Sequence, residues 1–202
     1  MSIDKTTWAS YGSTALFVLL WSSGAIFSKW GLEHASAFAF LTLRFALALA
    51  ALLLFGAHRG RLLPARGTAR GVALTGLLLI GGYSICYFLA LDHGVTPGVL
   101  ATVLGVQPIL TLALLERRFS RPRLGGLSLA LAGLTLMVSG SIAFARLSVT
   151  GMLFALAALA SMTAGAILQK RVSQAPVQVL PLQYAASLVL CALLVPWQPF
   201  TF

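Results

Sequence analysis

Few side chains in this sequence could bind or polarise a small molecule, and those few lie within or beside long apolar stretches. Arg44 is the sharpest case, since it lies seven residues inside an apolar run that begins at Ala37. A guanidinium at that depth, about 10 Å from the start of a helix, usually faces a cavity or a partner, because a charge in hydrocarbon is costly. Its planar fork suits a carboxylate or another anionic group. The alternative is a side chain that extends to the membrane surface.

Neutral polar and aromatic groups form a second set of substrate-binding candidates. Gln107 and Pro108 stand together in the middle of another apolar run. Proline removes a helix hydrogen bond and leaves an upstream carbonyl free, while the glutamine adds a donor and an acceptor at the same depth; a packed kink is the alternative. Tyr83, Tyr87 and Trp21 could wall a cavity for aromatic or amphipathic solutes, or they could pack in the core or at the interface.

Two further charged residues complete the candidates. Lys29 lies near the end of the first apolar run, where reaching the membrane surface is the simpler interpretation and substrate binding is the other. Glu116 opens a basic stretch and is a candidate for proton coupling, although pairing with Arg117 explains it as well. We find no phosphate-binding glycine–lysine loop, no serine–histidine pair within the spans and no metal-ligand cluster, so we predict neither an enzyme nor a cofactor.

The elements that must position these residues are membrane helices. Hydrophobic residues make up 59% of the 202 residues, charged residues 9%, and the mean hydropathy is +0.94. A soluble domain is about a quarter charged, so this chain cannot cover a water-facing surface. We predict an all-α, polytopic helical bundle with seven spans of roughly 20 residues: Ser13–Trp30, Ala37–Ala57, Val72–Leu91, Gly98–Leu115, Gly125–Phe144, Gly151–Leu168 and Leu180–Trp197.

Positive charge is unequally divided between the two sides of these spans. The net charge is +10, but the cations lie in short clusters between apolar runs, which argues against nucleic-acid binding. The side of the N-terminus receives eleven cations: Lys5, Arg59, Arg61, Arg66, Arg70, Arg117, Arg118, Arg121, Arg123, Lys170 and Arg171. The other side receives Arg146, with Lys29 near its edge. This bias predicts a cytoplasmic N-terminus in a multi-pass inner-membrane protein.

An internal repeat relates two parts of the chain. Residues 24–29 (Gly-Ala-Ile-Phe-Ser-Lys) and 165–170 (Gly-Ala-Ile-Leu-Gln-Lys) match at four of six positions, and the two copies are 141 residues apart. Each hexamer closes an apolar span, and five spans separate the copies. Because five is odd, the second copy enters the membrane from the opposite side. Inverted repeats of this kind are common in secondary transporters, with a substrate site between the halves.

The order and spacing of several short motifs resemble the EamA-type permeases of the drug/metabolite transporter superfamily. The motifs are Trp21-Ser22-Ser23-Gly24, Lys29-Trp30-Gly31-Leu32, Leu43-Arg44-Phe45, Tyr87-Phe88-Leu89-Ala90-Leu91, Gln107-Pro108 and Leu115-Glu116-Arg117. The resemblance implies ten spans in two inverted five-helix halves, with residues 1–145 as the first half and 146–202 as the start of the second. We therefore expect a truncated member or a fragment.

The function implied by this resemblance is that of a permease. It would move a small organic solute, an amino acid or related metabolite, by alternating access, with export as the commonest direction in the family. The alternative is a non-transporting membrane subunit or a remnant of such a transporter. The expected partners are the solute and the lipid bilayer, and we also consider a homodimer because an unoccupied half favours association of two copies.

Overall fold

The computed structural model describes residues 5–57, 62–115, 121–144 and 148–197, and all of the regular elements among them are helical. In chain order they are α1 (Lys5–Leu32), α2 (Ala37–Ala57), α3 (Ala69–Gly76), a π-helical segment (Leu77–Gly82), α4 (Tyr83–Asp92), α5 (Pro97–Leu104), α6 (Gln107–Leu115), α7 (Arg121–Phe144), α8 (Val149–Gln169), α9 (Pro176–Leu194) and a final 3-10 turn (Val195–Trp197). The segments α3, π and α4 run on without interruption as one helix.

Several of these helices are membrane spans. Five are long and apolar enough to cross a bilayer, namely Tyr11–Leu32, Ala37–Ala57, Ala69–Asp92, Val149–Gln169 and Pro176–Leu194. The described residues therefore have the helical architecture predicted from the sequence, with several helices that could span a membrane. The other two predicted spans fall on shorter apolar helical stretches, Pro97–Leu112 and Leu124–Gly133, so the total of seven stays a prediction.

The turn between α4 and α5 follows from a few residues of suitable type. Gly94 adopts φ +85°, a left-handed conformation that glycine takes without steric cost, and it ends α4. The N–H of Val95 then bonds back to the carbonyl of Ala90 at 3.0 Å. Thr96 starts α5 by accepting a hydrogen bond from the N–H of Val99, with Pro97 in the first turn. This turn fixes one end of α4, which carries two candidate residues.

The hydrophobic core lies where α2, α4 and α9 meet. α2 packs along α9, while α8 packs along α4 and the π-helical segment. The buried core side chains come from all three helices: Phe38, Leu41, Phe45, Phe88 and Cys191. In contrast, the side chains of residues 11–20 in α1 are exposed, as expected for a helix surrounded by lipid.

The two ends of the bundle can be told apart by their loops. The backbone N–H of Ala65 donates to Oε1 of Gln174 at 2.7 Å, so the α2–α3 and α8–α9 loops share one end. We call it the basic end, and it carries loop residues 62–68 and 170–175. At the opposite end, Gly151 near the start of α8 lies against His93, which follows α4. α1 leads into α2 at that opposite end, whereas α8 finishes at the basic end, so the hexamers of residues 24–29 and 165–170 close helices at opposite ends.

Glycines allow the helices around the π-helical segment to approach very closely. A Cβ atom on Gly76 would lie 2.5 Å from Cα of Gln183 in α9. A Cβ atom on Gly165 of α8 would lie 2.6 Å from the backbone nitrogen of Leu79. Both neighbours are backbone atoms, which cannot rotate away as a side chain can. Small residues of this kind are what bring membrane helices into contact.

Hydroxyl groups from the neighbouring helices bind backbone carbonyls in and beside the π-helical segment. The N–H of Tyr83 bonds to the carbonyl of Leu78, five residues earlier, as the wider turn requires. The same carbonyl accepts from Oγ of Ser161 in α8 at 2.8 Å. The carbonyl of Gly76 accepts from Oγ of Ser187 in α9 at 3.1 Å. α8 and α9 therefore hold this helix by hydrogen bonds as well as by packing.

We expect Ser161→Ala to lower the free energy of unfolding by about 0.6 kcal/mol and by at most about 1.7 kcal/mol, the range for hydrogen bonds between membrane helices. The thermal midpoint of the detergent-purified protein measures this loss. Thr150→Ala is the control, because it removes an exposed hydroxyl from the same helix. Equal midpoints for both variants would show that the Ser161 hydrogen bond does not hold the helix.

Candidate functional site

Three of the sequence-predicted residues come together between α2 and α4. Tyr83 and Tyr87 lie one helical turn apart in α4, and their ring centroids are 5.7 Å apart. Arg44 of α2 is close enough for its charge to interact with both phenol groups. Arg44 is exposed and both tyrosines are half-buried. The guanidinium and the two hydroxyls thus form one polar group, which we call the Arg44 cluster.

Aromatic packing holds the Arg44 cluster in place. The ring of Tyr87 lies 6.0 Å from that of Phe88, and Phe88 stacks on Phe40 of α2 at 5.4 Å with an interplanar angle of 28°. Phe88 is fully buried, so it anchors this face of α4 against α2. The same two helices that carry the polar groups are therefore fixed relative to each other by apolar contacts a single turn away.

The Arg44 cluster holds a positive charge without a carboxylate at its depth in the described part of the chain. The acids there are Glu33, just after α1, and Asp92, the last residue of α4. Both lie at helix ends, whereas Arg44 is two turns inside α2. A guanidinium with two phenol donors nearby is suited to bind an anionic group such as a carboxylate, and the tyrosine rings offer an apolar surface beside it.

The helix that contains Gln107 and Pro108 is interrupted, as expected. The interruption lies before the proline and not at the proline itself. α5 ends at Leu104, and the chain makes a turn at Gly105 and Val106. Gln107 and Pro108 are then the first two residues of α6. A proline in the first turn has no helix hydrogen bond to remove, so the prediction of a mid-helix break at Pro108 was wrong in its physical cause.

The side chain of Gln107 makes a local hydrogen bond. Nε2 of Gln107 donates to Oγ1 of Thr111 at 3.3 Å, one turn further along α6. Pro108 is exposed. No described contact joins either residue to the Arg44 cluster, so they form a separate candidate position on the broken helix.

The remaining candidates are not brought into the cluster by any described contact. Lys29 is exposed in the last turn of α1, where its side chain can reach the membrane surface. Trp21 belongs to α1, but its side chain lies outside the described residues. Glu116 also lies outside them. Binding and coupling roles for these three residues stay predictions.

The sequence analysis missed a buried polar contact between α8 and α9. Gln183 is only 1% exposed, and its Nε2 donates to Oε1 of Gln169 at 2.8 Å. A glutamine inside the apolar run of α9 was the available signal, since a polar side chain at that depth requires a partner. The close approach of Gly76 leaves no space for a solute there, so this contact joins helices and is not a binding cavity.

One comparison with known proteins gives a match. The model of the EamA-like transporter family matches residues 8–139, about two thirds of the chain, from α1 into α7. No curated protein and no solved structure gives a significant match. The matched range includes every candidate residue discussed above.

Proposed function

Because the chain belongs to the EamA-like transporter family, we propose that it moves a small organic solute across the membrane by alternating access. Members of this family are membrane transporters of the drug/metabolite type. The observation that carries the proposal for this chain is the Arg44 cluster, a reachable guanidinium beside two tyrosines within apolar helices. A charged group kept in a spanning segment without an acid at its depth is typical of a ligand pathway.

Within the proposed mechanism, Arg44 binds the anionic group of the solute through its bidentate fork. The hydroxyls of Tyr83 and Tyr87 donate hydrogen bonds to the solute, and the two rings pack against its apolar part. The solute class that suits these groups is a small carboxylate with an apolar portion, such as an amino acid or a related metabolite. Export from the cytoplasm across the inner membrane is the direction we propose, with the basic end facing the cytoplasm.

Two features support movement of one set of helices against another. The hexamers at residues 24–29 and 165–170 close helices at opposite ends of the bundle, as an inverted repeat requires. The second helix of each proposed half, α2 and α9, pack against each other. Alternating access in inverted-repeat transporters is largely a rocking of such halves about a site between them.

A flux assay tests the proposal. The purified chain is reconstituted into liposomes loaded with unlabelled amino acids, and uptake of each labelled amino acid is followed by exchange. We expect exchange above that of protein-free liposomes for at least one carboxylate solute, with saturation. Absence of exchange across amino acids and related carboxylates, in vesicles where the protein is inserted and folded, would favour a non-transporting subunit.

Removing the phenol hydroxyls should weaken solute binding without abolishing it. We expect Tyr83→Phe and Tyr87→Phe each to raise the KM for exchange by about 2- to 13-fold, because a neutral hydrogen bond contributes about 0.5–1.5 kcal/mol. The aromatic contacts at 5.7 Å and 6.0 Å are retained in these variants. Tyr11→Phe is the matched control, since Tyr11 is exposed at 69% on α1. An unchanged KM in both cluster variants would remove the tyrosine hydroxyls from the proposed site.

A further inference from the structure

A glutamine side chain joins two loops at the basic end. Oε1 of Gln174 accepts from the N–H of Ala65 at 2.7 Å, and its Nε2 donates to Oγ1 of Thr68 at 2.9 Å. The hydroxyl of Thr68 donates in turn to the carbonyl of Ala65 at 2.8 Å. Arg66 lies between the two residues that Gln174 holds. The link therefore fixes the α2–α3 loop beside the α8–α9 loop.

Both linked loops carry exposed positive charge. Arg66 and Arg70 belong to the first loop and the start of α3, and Lys170 and Arg171 belong to the second; all four are exposed. Residues 62–70 and 170–175 contain no acid. The first turn of α3 also lacks an acid, and its own dipole places further positive potential beside Arg70. Four cations in two joined loops thus create a local site for an anion.

Two exposed apolar side chains belong to elements that meet at this basic end. Leu63, in the same loop as Arg66, is 77% exposed, and Phe55 in the last turn of α2 is 78% exposed. A free anion in water gains nothing from such neighbours. A phospholipid has both parts, because its phosphate meets the cations at the membrane surface while its acyl chains cover the apolar side chains.

We propose that the linked loops at the basic end bind the headgroup of an anionic phospholipid, with Arg66, Arg70, Lys170 and Arg171 around the phosphate and Leu63 and Phe55 against the chains. The cations set the preference for a negatively charged lipid. The Gln174 link sets the affinity, because it holds both pairs of cations at one place. The site is distinct from the Arg44 cluster, which lies within the spans.

Lipid retention by the purified full chain tests this site. Native mass spectrometry in detergent is used with phosphatidylglycerol and with phosphatidylcholine as the two probes. We expect phosphatidylglycerol to bind at least about tenfold more tightly, and Arg66→Gln combined with Arg70→Gln to remove most of that preference. Lys29→Gln is the control, since it removes an exposed cation at the opposite end. Equal retention of both lipids, or an equal loss in Lys29→Gln, would overturn the proposal.

Two further arms test the role of the Gln174 link and the chemical identity of the ligand. Gln174→Ala keeps every cation and breaks the link. It should weaken phosphatidylglycerol binding about threefold or more and leave phosphatidylcholine binding unchanged. Unchanged phosphatidylglycerol binding would overturn the role of the link.

Inorganic phosphate is added as a competitor of the lipid. Displacement of the lipid by millimolar phosphate would identify a free-anion site instead. A thermal midpoint close to that of the wild type shows that each variant is folded. A loss of lipid binding in a folded variant is then due to the substituted side chain.

Discussion

Arg44→Ala should lower solute exchange by about 13- to 160-fold. The guanidinium interacts electrostatically with Tyr83 and Tyr87 and has no acid at its depth in the described chain, so its charge is available to a ligand. A hydrogen bond to a charged group contributes about 1.5–3 kcal/mol, which corresponds to this range. The effect should appear mainly as a raised KM, measured by exchange in proteoliposomes at matched protein content.

Two further variants, a conservative replacement of Arg44 and the removal of another exposed cation, separate solute binding from a general effect of charge. Arg44→Lys keeps the charge and loses the bidentate fork, so its KM should lie between those of the wild type and Arg44→Ala. Arg70→Ala removes an exposed cation at the basic end, outside the Arg44 cluster, and should leave KM unchanged. If Arg44→Ala retained wild-type KM, the side chain would be one that extends to the membrane surface, and the Arg44 cluster would not be the binding site.

Accessibility gives a test that does not depend on flux. A single cysteine introduced as Arg44→Cys in a chain where Cys86 and Cys191 are replaced by alanine should react with a water-soluble charged thiol reagent, because a solute pathway is hydrated. A transported solute, supplied well above the raised KM of this variant, should slow the reaction. We expect the solute to protect the cysteine at position 44. It should not protect a cysteine placed at Leu47, which is exposed one turn further along α2. Equal protection would indicate a general effect of the solute on the bundle, and no reaction with the reagent would place Arg44 against lipid.

Gly76→Ala should lower the stability of the described bundle strongly. Its Cβ would lie 2.5 Å from Cα and 2.8 Å from the carbonyl oxygen of Gln183, so α3 and α9 must separate. Overpacking of this kind costs about 1–3 kcal/mol, and the separation also stretches the hydrogen bond from Ser187 to the Gly76 carbonyl. The thermal midpoint in detergent should fall by several degrees.

Gly71→Ala supplies the control within the same helix. Nothing lies within 4 Å of the position that its Cβ would take. Alanine favours a helix over glycine by about 0.8–1.0 kcal/mol, so this variant should be as stable as the wild type or more stable. Loss of stability in Gly71→Ala equal to that in Gly76→Ala would mean that glycine flexibility, and not close contact with α9, is what this helix requires.

Hydropathy predicted the spans well because a membrane helix must be apolar along about 20 residues, whatever its packing. The five helices that meet this condition in the structure correspond to five of the seven predicted stretches. The break in the stretch that includes Pro108 was expected near the right place for the wrong reason, since the turn lies at Gly105 and Val106. The position of a proline in the sequence does not by itself show whether the residue interrupts a helix or begins the next one.

Residue types predicted candidates for the site one by one but not which of them meet. Arg44 and Tyr83 are 39 positions apart in sequence, and only the packing of α2 against α4 brings them together. The π-helical segment could not be predicted either, because Leu77 to Ile80 are uniformly apolar and a wider turn changes no residue type. Gln183 was visible as a polar residue in an apolar run, yet its partner Gln169 depends on how α8 crosses α9.

The wider turn between Gly76 and Tyr83 also sets the direction in which α4 presents its rings. Each residue of an α-helix rotates the chain by about 100°, so a π-helical turn shifts everything after it by roughly one residue relative to α3. A deletion of one residue among Leu77 to Ile80 would keep the span apolar and long enough to cross the bilayer. Such a deletion would nevertheless rotate α4 about its axis, so that the phenol groups of Tyr83 and Tyr87 would point away from the guanidinium of Arg44. In this span, insertions and deletions are therefore more disruptive to recognition than most substitutions.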